Sequence, residues 1–275
     1  RDGLARTGTF QTGETTLNLP AAVDCETIFP DLDNCSGTNT PLCAPPALVK
    51  QYLLPDEGQP VTIQPHLDNR AQSSDCVMVS GWHTAFQNPR NYVDWLIALK
   101  EKTPVDTSWY APASALPANV HILCYSGFDL FDFKAVDLKT AQGLFCTPEG
   151  DFTKEAMKSG ICTCPGCQEN GLKQHNRLAL LREIALVTRF IEDSNLRDLV
   201  ESRCRLDAAQ VAILRHLDNQ YPFMERHLPI ARSGVMRANS GESLQRAEVK
   251  RFAERVTSRY IPPKTDVAVL LPCSA

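Results

Sequence analysis

Three cysteines fall within six positions of the stretch ICTCPGCQENGLKQHN, residues 161–176, and a histidine follows. Cys162, Cys164 and Cys167 form a C-x-C-x-x-C cluster, and His175 comes after seven further residues. Thiolate sulfur and imidazole nitrogen are the donors that zinc gathers four at a time, tetrahedrally. The C-x-x-C half needs a tight turn between its thiolates, which Pro165-Gly166 can make. Cys162 approaches from the preceding segment, and His175 turns inward from the first turn of a helix. Four protein ligands leave no position open for water, so the expected metal is structural zinc. The competing reading is three buried or redox-active thiols beside an unrelated histidine. The density of the cluster and its Pro-Gly turn favour the metal. His66, His83, His121, His216 and His227 have no such company and read as structural or surface histidines.

A second group is electrostatic. Between Glu201 and Lys264 there are twelve Lys/Arg against seven Asp/Glu, while the rest of the chain is acidic and the whole carries −4. Within this segment Arg251, Arg255 and Arg259 recur at helical spacing beside an apolar face of Val249, Phe252, Val256 and Tyr260. A basic helix on an acidic body suits a polyanion such as RNA, contacted from one side. On charge alone, an ordinary solvated helical surface is the better-supported reading.

The elements that must position these residues follow from patterning. Ala5 to Pro20 alternates threonines with Phe10, Leu17 and Leu19 around Gly13, a β-hairpin signature. Residues 25–75 are rich in Pro, Asp, Asn and Ser, with one short helical stretch at Ala47 to Leu53. Cys76–Val79 reads as a buried strand and Tyr92–Lys100 as a helix carrying Val93, Leu96, Ile97 and Leu99. A strand at Trp109–Ala113, a helix from Pro117 to Gly127 and a strand at Phe128–Phe133 follow; this alternation predicts a parallel α/β architecture. Gly143–Phe152 reads as a hairpin turning at Pro148-Glu149-Gly150. Leu172–Glu192 reads as a long helix with Leu178, Leu181, Ile184, Ala185 and Phe190 inward. A basic helical segment runs over 201–263, ending at Pro262-Pro263, and residues 264–275 begin a further strand.

At 275 residues the chain is long enough for one barrel-sized domain or two smaller ones. No apolar run reaches the roughly eighteen residues that a spanning helix needs. The chain therefore reads as cytoplasmic, with no membrane partner. Eleven cysteines, an odd number scattered through a chain of this length, read as reduced thiols rather than a disulfide framework. Arg1 at the start and the strand pattern of Asp266 to Ala275 at the end read as a piece of a longer protein.

These residues also carry a resemblance. The opening A-R-T-G-T-F of residues 5–10, Trp109-Tyr-Ala-Pro-Ala-Ser-Ala-Leu-Pro-Ala-Asn119, Gly127-Phe-Asp-Leu-Phe-Asp132, Gly143-Leu-Phe-Cys-Thr-Pro-Glu-Gly150 and the cysteine cluster with His175-Asn176 occur in the order found in the tRNA-guanine transglycosylase family. The ordered series is far more specific than any one member. The resemblance implies a TIM barrel, degenerate or partial here, carrying a zinc subdomain (about 143–192) within residues 1–200. It puts the family's nucleophilic aspartate at Asp132, with Asp129 its motif partner. The family's V-x-P-T-R is replaced by Lys134-Ala-Val-Asp-Leu138, and its base-recognising S-D-T-G-G-F-Q stretch has no counterpart here.

The archaeosine-synthase branch resembles this chain more fully, with Arg251-Phe-Ala-Glu-Arg-Val256, Arg259-Tyr-Ile-Pro-Pro263 and a closing Pro-Cys-Ser-Ala motif that includes Cys273. What the branch implies is a tRNA-modifying enzyme acting on 7-deazaguanine in tRNA, this part positioning tRNA rather than exchanging a base. Two other readings stand beside it. One is an active base-exchange transglycosylase using Asp132 as nucleophile. The other is a non-catalytic RNA-binding or assembly subunit. A homo-oligomer is compatible with all three.

Overall fold

The computed structural model describes residues 1–12, 15–24, 62–63, 76–79, 86–169, 171–230, 234–264, 266–267 and 269. The helix expected over 47–53, most of the closing strand, and Cys273, Cys25, Cys35, Cys43, His66 and His83 lie outside them.

The opening hairpin forms as its alternation predicts. Strand β1 (Gly8–Thr12) pairs antiparallel with β2 (Thr15–Leu19), Phe10 facing Leu17, and Phe10 and Leu19 are buried. The central sheet contains β3 (Ala21–Val23), β4 (Thr62–Ile63), β5 (Cys76–Val79), β6 (Ser108–Tyr110) and β7 (Leu130–Asp132). Its order is β3-β7-β6-β5-β4; the first four are parallel, and β4 runs antiparallel to β5. Among the described residues this is an open sheet with β3 and β4 at its edges. Every residue of β6 and β7 is buried, as strands covered on both faces must be.

Helices fill the connections. Helix α1 (Pro89–Glu101) joins β5 to β6 and buries Tyr92, Val93, Leu96 and Ile97; α2 (Val120–Tyr125) joins β6 to β7 and is buried throughout. It begins three residues after Pro117 and ends before Gly127, whose φ of +87° suits glycine. Helix α3 (Lys134–Ala141) follows β7 directly, without a helical signal in the sequence reading. Hairpin β8 (Phe145–Thr147) and β9 (Gly150–Phe152), the short α4 (Lys154–Met157) and α5 (Pro165–Gln168), and the long α6 (Leu172–Glu192) come next. The inward face of α6 agrees with the expected one at Ile184 and at the half-buried Phe190, and departs from it at Leu178, Leu181 and Ala185. Leu180, Ile184, Val187 and Ile191 are buried, while Leu178 and Leu181 face outward, because the helix must turn His175 and Asn176 toward β8.

The basic segment packs on this body. Helix α7 (Leu196–Arg203) lies on α2, α8 (Ala208–Asn219) lies on α1, and α9 (Tyr221–His227) and α10 (Ala247–Arg259) follow. Ile213, Leu214, Leu217, Phe223 and Met224 join the same hydrophobic core as α1 and α2. A buried charge cluster fastens the segment. Arg197 donates to Asp218 through two bonds of 2.6 and 2.8 Å, to Glu201 at 2.8 Å and to the Tyr125 hydroxyl at 3.0 Å. Arg246 donates to Glu201 at 2.8 Å and to Asp198 at 2.6 Å. No described helix is long and apolar enough to cross a membrane.

Candidate metal centre and strand-end carboxylates

The cysteine cluster assembles as its spacing predicts. Pro165 opens the one-turn helix α5, and the N–H of Cys167 donates to the carbonyl of Cys164 at 3.0 Å, closing the turn that brings the C-x-x-C thiols together. Gly166 is what lets α6 approach: a β-carbon there would stand 2.4 Å from the backbone nitrogen of His175 and 2.8 Å from its Cα. His175, in the first turn of α6, is 2 % exposed. Its Nδ1 lies 3.4 Å from Cys164 Sγ and 3.2 Å from Cys167 Sγ, and the donor atoms of all four residues lie within 4.8 Å of one another.

That geometry fits a metal ion. Zinc–sulfur and zinc–nitrogen bonds of standard length in a tetrahedron place sulfur and nitrogen about 3.5 Å apart. The histidine's other nitrogen, Nε2, is 3.1 Å from the Cys146 carbonyl. A carbonyl only accepts, so the ring proton sits on Nε2 and Nδ1 presents its lone pair to the sulfurs, as a ligand must. Burial pushes the His175 pKa down, which favours the neutral ligating form. Burial would raise the Cys162 thiol, but hydrogen bonds from the Cys164 N–H and the neighbouring thiols hold it below its ordinary value. Burial and those same thiols push Cys167 up to about 12, as expected of crowded sulfurs that share protons. The described cysteines form no disulfides.

The two aspartates of the β7 motif have separate roles in the fold. Asp129 precedes β7 and is gripped by Arg6 through Nε at 3.0 Å and Nη2 at 2.8 Å, and by the Trp109 N–H at 3.0 Å. Arg6 also donates to the carbonyls of Val105 and Thr107. The pair ties the chain's start to the amino-terminal ends of β6 and β7. Asp132 closes β7 at its carboxyl end, beside Val23 of β3. It is 1 % exposed and accepts from the Tyr110 hydroxyl at 2.6 Å, the Lys134 N–H at 2.9 Å, and the Ala113 N–H at 3.0 and 2.9 Å to its two oxygens. Ala113 adopts φ +49°, a left-handed conformation that aims its N–H at the carboxylate. Burial pushes the Asp132 pKa up, and the three donors pull it part of the way back.

The expected arginine stripe on α10 is turned by its packing. Arg251 is buried, 7 % exposed, and donates to Glu225 Oε1 at 3.0 Å and to the carbonyls of Glu225, Leu228 and Pro229. It is an anchor within the fold, so the expectation that it faces RNA is corrected. Arg259 is exposed and Arg255 half-buried. Phe252, Val256 and Tyr260, of the apolar face beside the stripe, are 69 %, 43 % and 64 % exposed. Much of the segment's positive charge meets the protein's own carboxylates: Arg205 and Arg215 both pair with Glu242, and Arg226 pairs with Glu101.

Sequence reading missed the residues that hold these groups. Tyr110 and Arg6 lie inside the family-like motifs of residues 109–119 and 5–10, whose patterning gives no sign of their carboxylate partners. Asn176 stood beside His175, and its adjacency in the His-Asn pair was the available signal.

Comparison with known proteins gives four matches that bear on this chain. A family model described as a domain of unknown function, DUF5591, matches residues 249–275. The archaeosine synthase subunit alpha of Methanosarcina acetivorans is 35 % identical over 223 residues, 76 % of this chain and 36 % of the relative. The archaeosine synthase of Haloferax volcanii is 36 % identical over 209 residues, 74 % of this chain and 36 % of the relative. A tRNA-guanine(15) transglycosylase of Methanococcus maripaludis is 32 % identical over 148 residues, 47 % of this chain and 23 % of the relative. The resemblance carried by the motifs thus extends over three quarters of the chain, which spans about a third of the length of its archaeosine-synthase relatives.

Proposed function

We propose that this chain, a relative of archaeosine synthases and of tRNA-guanine transglycosylases, is the transglycosylase-like, tRNA-holding part of an archaeosine-synthase-type enzyme. Its substrate is tRNA carrying a 7-deazaguanine base, and it positions that tRNA without exchanging the base. The observation that carries this reading is the state of Asp132. A carboxylate nucleophile must present a free lone pair in line with the anomeric carbon. Here the carboxylate at the matching position is buried and bound by three donors of its own fold. It acts as a keystone joining β7, the β6 loop and the start of α3.

The four-strand parallel sheet is read as part of a degenerate TIM barrel, with residues 201–263 a helical addition to it. Cys162, Cys164, Cys167 and His175 hold a structural zinc, which supplies cross-linking of α5 to α6 and no chemistry on substrate. Arg255 and Arg259 reach phosphate from α10.

The test joins binding to exchange. The chain should bind tRNA with a salt dependence whose slope falls by about 1 for each of Arg255→Ala and Arg259→Ala. It should incorporate no labelled guanine, and Asp132→Ala should lower the melting temperature while leaving tRNA affinity unchanged. Guanine incorporation that Asp132→Ala abolishes would overturn the proposal in favour of an active transglycosylase, a role suited to a carboxylate at a strand's carboxyl end. Absence of tRNA binding would overturn the positioning role itself.

A further inference from the structure

His175 offers Nδ1 to the sulfurs only while the Cys146 carbonyl holds the proton on Nε2, so whatever orients Cys146 also orients the ligand. In a strand, the N–H and C=O of one residue point to the same side. In β8 the backbone polar groups of Cys146 face α6, and two consecutive helix residues take one each. His175 Nε2 meets the carbonyl at 3.1 Å, and Asn176 Oδ1 accepts from the N–H at 2.7 Å. The amide of Asn176 then reaches further, donating to the Leu144 carbonyl at 2.9 Å and to Thr140 Oγ1, in the last turn of α3, at 2.9 Å. The Thr140 hydroxyl donates in turn to the Val136 carbonyl at 2.8 Å. Asn176 is 0 % exposed, and Phe145 walls the imidazole edge-on, ring centres 5.2 Å apart.

We propose that Asn176 is a positioning residue of the metal site: it clamps β8 between α3 and α6 so that the Cys146 carbonyl fixes the tautomer and ring plane of His175. The inference rests on reading the Cys3His group as a zinc site. Asn176 is never a ligand; it acts through the peptide groups on either side of Cys146. Three of its four hydrogen-bonding capacities are used in doing so. Partners one bond removed from a metal ligand typically govern about 10–100-fold of the metal affinity.

The experiment compares the wild-type chain, Asn176→Ala and Thr140→Val, with Arg177→Ala as the control. Arg177 sits on the same turn of α6 but pairs with Asp137, so its loss perturbs the helix without touching Cys146. Zinc affinity is measured by competition with a chelator, ligand geometry by the visible spectrum of the cobalt-substituted protein, and the His175 tautomer by 15N NMR. Asn176→Ala should weaken zinc by about 10–100-fold, shift the cobalt bands and lose the clean Nε2–H signature. Thr140→Val should give a smaller change of the same kind, and Arg177→Ala should lower stability while leaving affinity and spectrum alone. Wild-type affinity and spectrum in Asn176→Ala would overturn the inference; should that variant not fold, the same result in Thr140→Val would overturn it. A wild-type chain that takes up no zinc would instead refute the metal reading on which the inference stands.

Discussion

Gly166→Ala adds one methyl group at the closest approach between the cysteine turn and helix α6. That methyl would sit 2.4 Å from the backbone nitrogen of His175, 2.8 Å from its Cα and 3.0 Å from the Gly171 carbonyl oxygen, whereas ordinary contact begins at 3.4 Å. All three are backbone atoms, so no side chain can rotate away. The turn and the helix must separate by about 1 Å, the shortfall between 2.4 and 3.4 Å. Metal–ligand bonds tolerate only about 0.2 Å. Cys164 and Cys167 lie on one side of that gap and His175 on the other, so the ligand set is pulled apart. Overpacking of this kind costs about 1–3 kcal/mol, and at least 1.4 kcal/mol of it falling on the metal-bound state means a tenfold or greater loss of zinc affinity. The assay is chelator competition together with thermal melts recorded with and without added zinc. Gly171→Ala is the matched control: its methyl meets mainly the flexible Gln174 side chain, at 3.2 and 3.5 Å. It should keep zinc as the wild type does. Wild-type zinc affinity and melting temperature in Gly166→Ala would refute the reasoning.

Other perturbations probe the frame around the site. Arg197→Met leaves Asp218 buried without its guanidinium and Glu201 with only that of Arg246, and should cost about 3–5 kcal/mol in denaturant unfolding; a loss below 1 kcal/mol would mean that the cluster relaxes around the gap. Lys100 lies over the Trp109 ring at 3.7 Å and donates to the Gly127 carbonyl at 2.9 Å; burial lowers its pKa to about 7, with Arg6 adding to the shift and Asp129 opposing it. A lysine whose folded pKa lies below its unfolded value of 10.5 holds fewer protons when folded, so stability rises with pH between about 7 and 10.5. The wild-type chain should therefore gain on Lys100→Met across that window, and a flat difference would contradict the assignment. Arg6→Lys, which cannot reproduce the two-pronged grip on Asp129, should lower the melting temperature more than the exposed Arg189→Lys does.

The α6 face and the α10 stripe mark where periodicity stops being informative. Both helices lie where 3.6-residue spacing puts them, and α6 keeps its expected bounds of Leu172–Glu192. Hydrophobic spacing selects the most apolar stripe, while packing selects whatever satisfies buried polar groups, so only part of the expected α6 face is inward and the apolar face of α10 is left exposed. On α6 the need to aim His175 and Asn176 at β8 outranks Leu178 and Leu181. On α10 the bonds of Arg251 to Glu225 and three carbonyls turn Phe252 and Val256 outward.

Taken alone, the sequence determined the hairpin, the strand–helix alternation, the grouping of Cys162, Cys164, Cys167 and His175, and the kinship carried by the ordered motifs. These depend on residue type and short spacing, which a linear chain states directly. Only the tertiary structure shows what holds Asp132, because the Tyr110, Ala113 and Lys134 donors converge on it from three separate elements. The same holds for Asn176, whose partners lie 30 or more residues away. Hydrogen bonds between distant segments leave no periodic trace in a sequence, and they set which buried side chains are held in place.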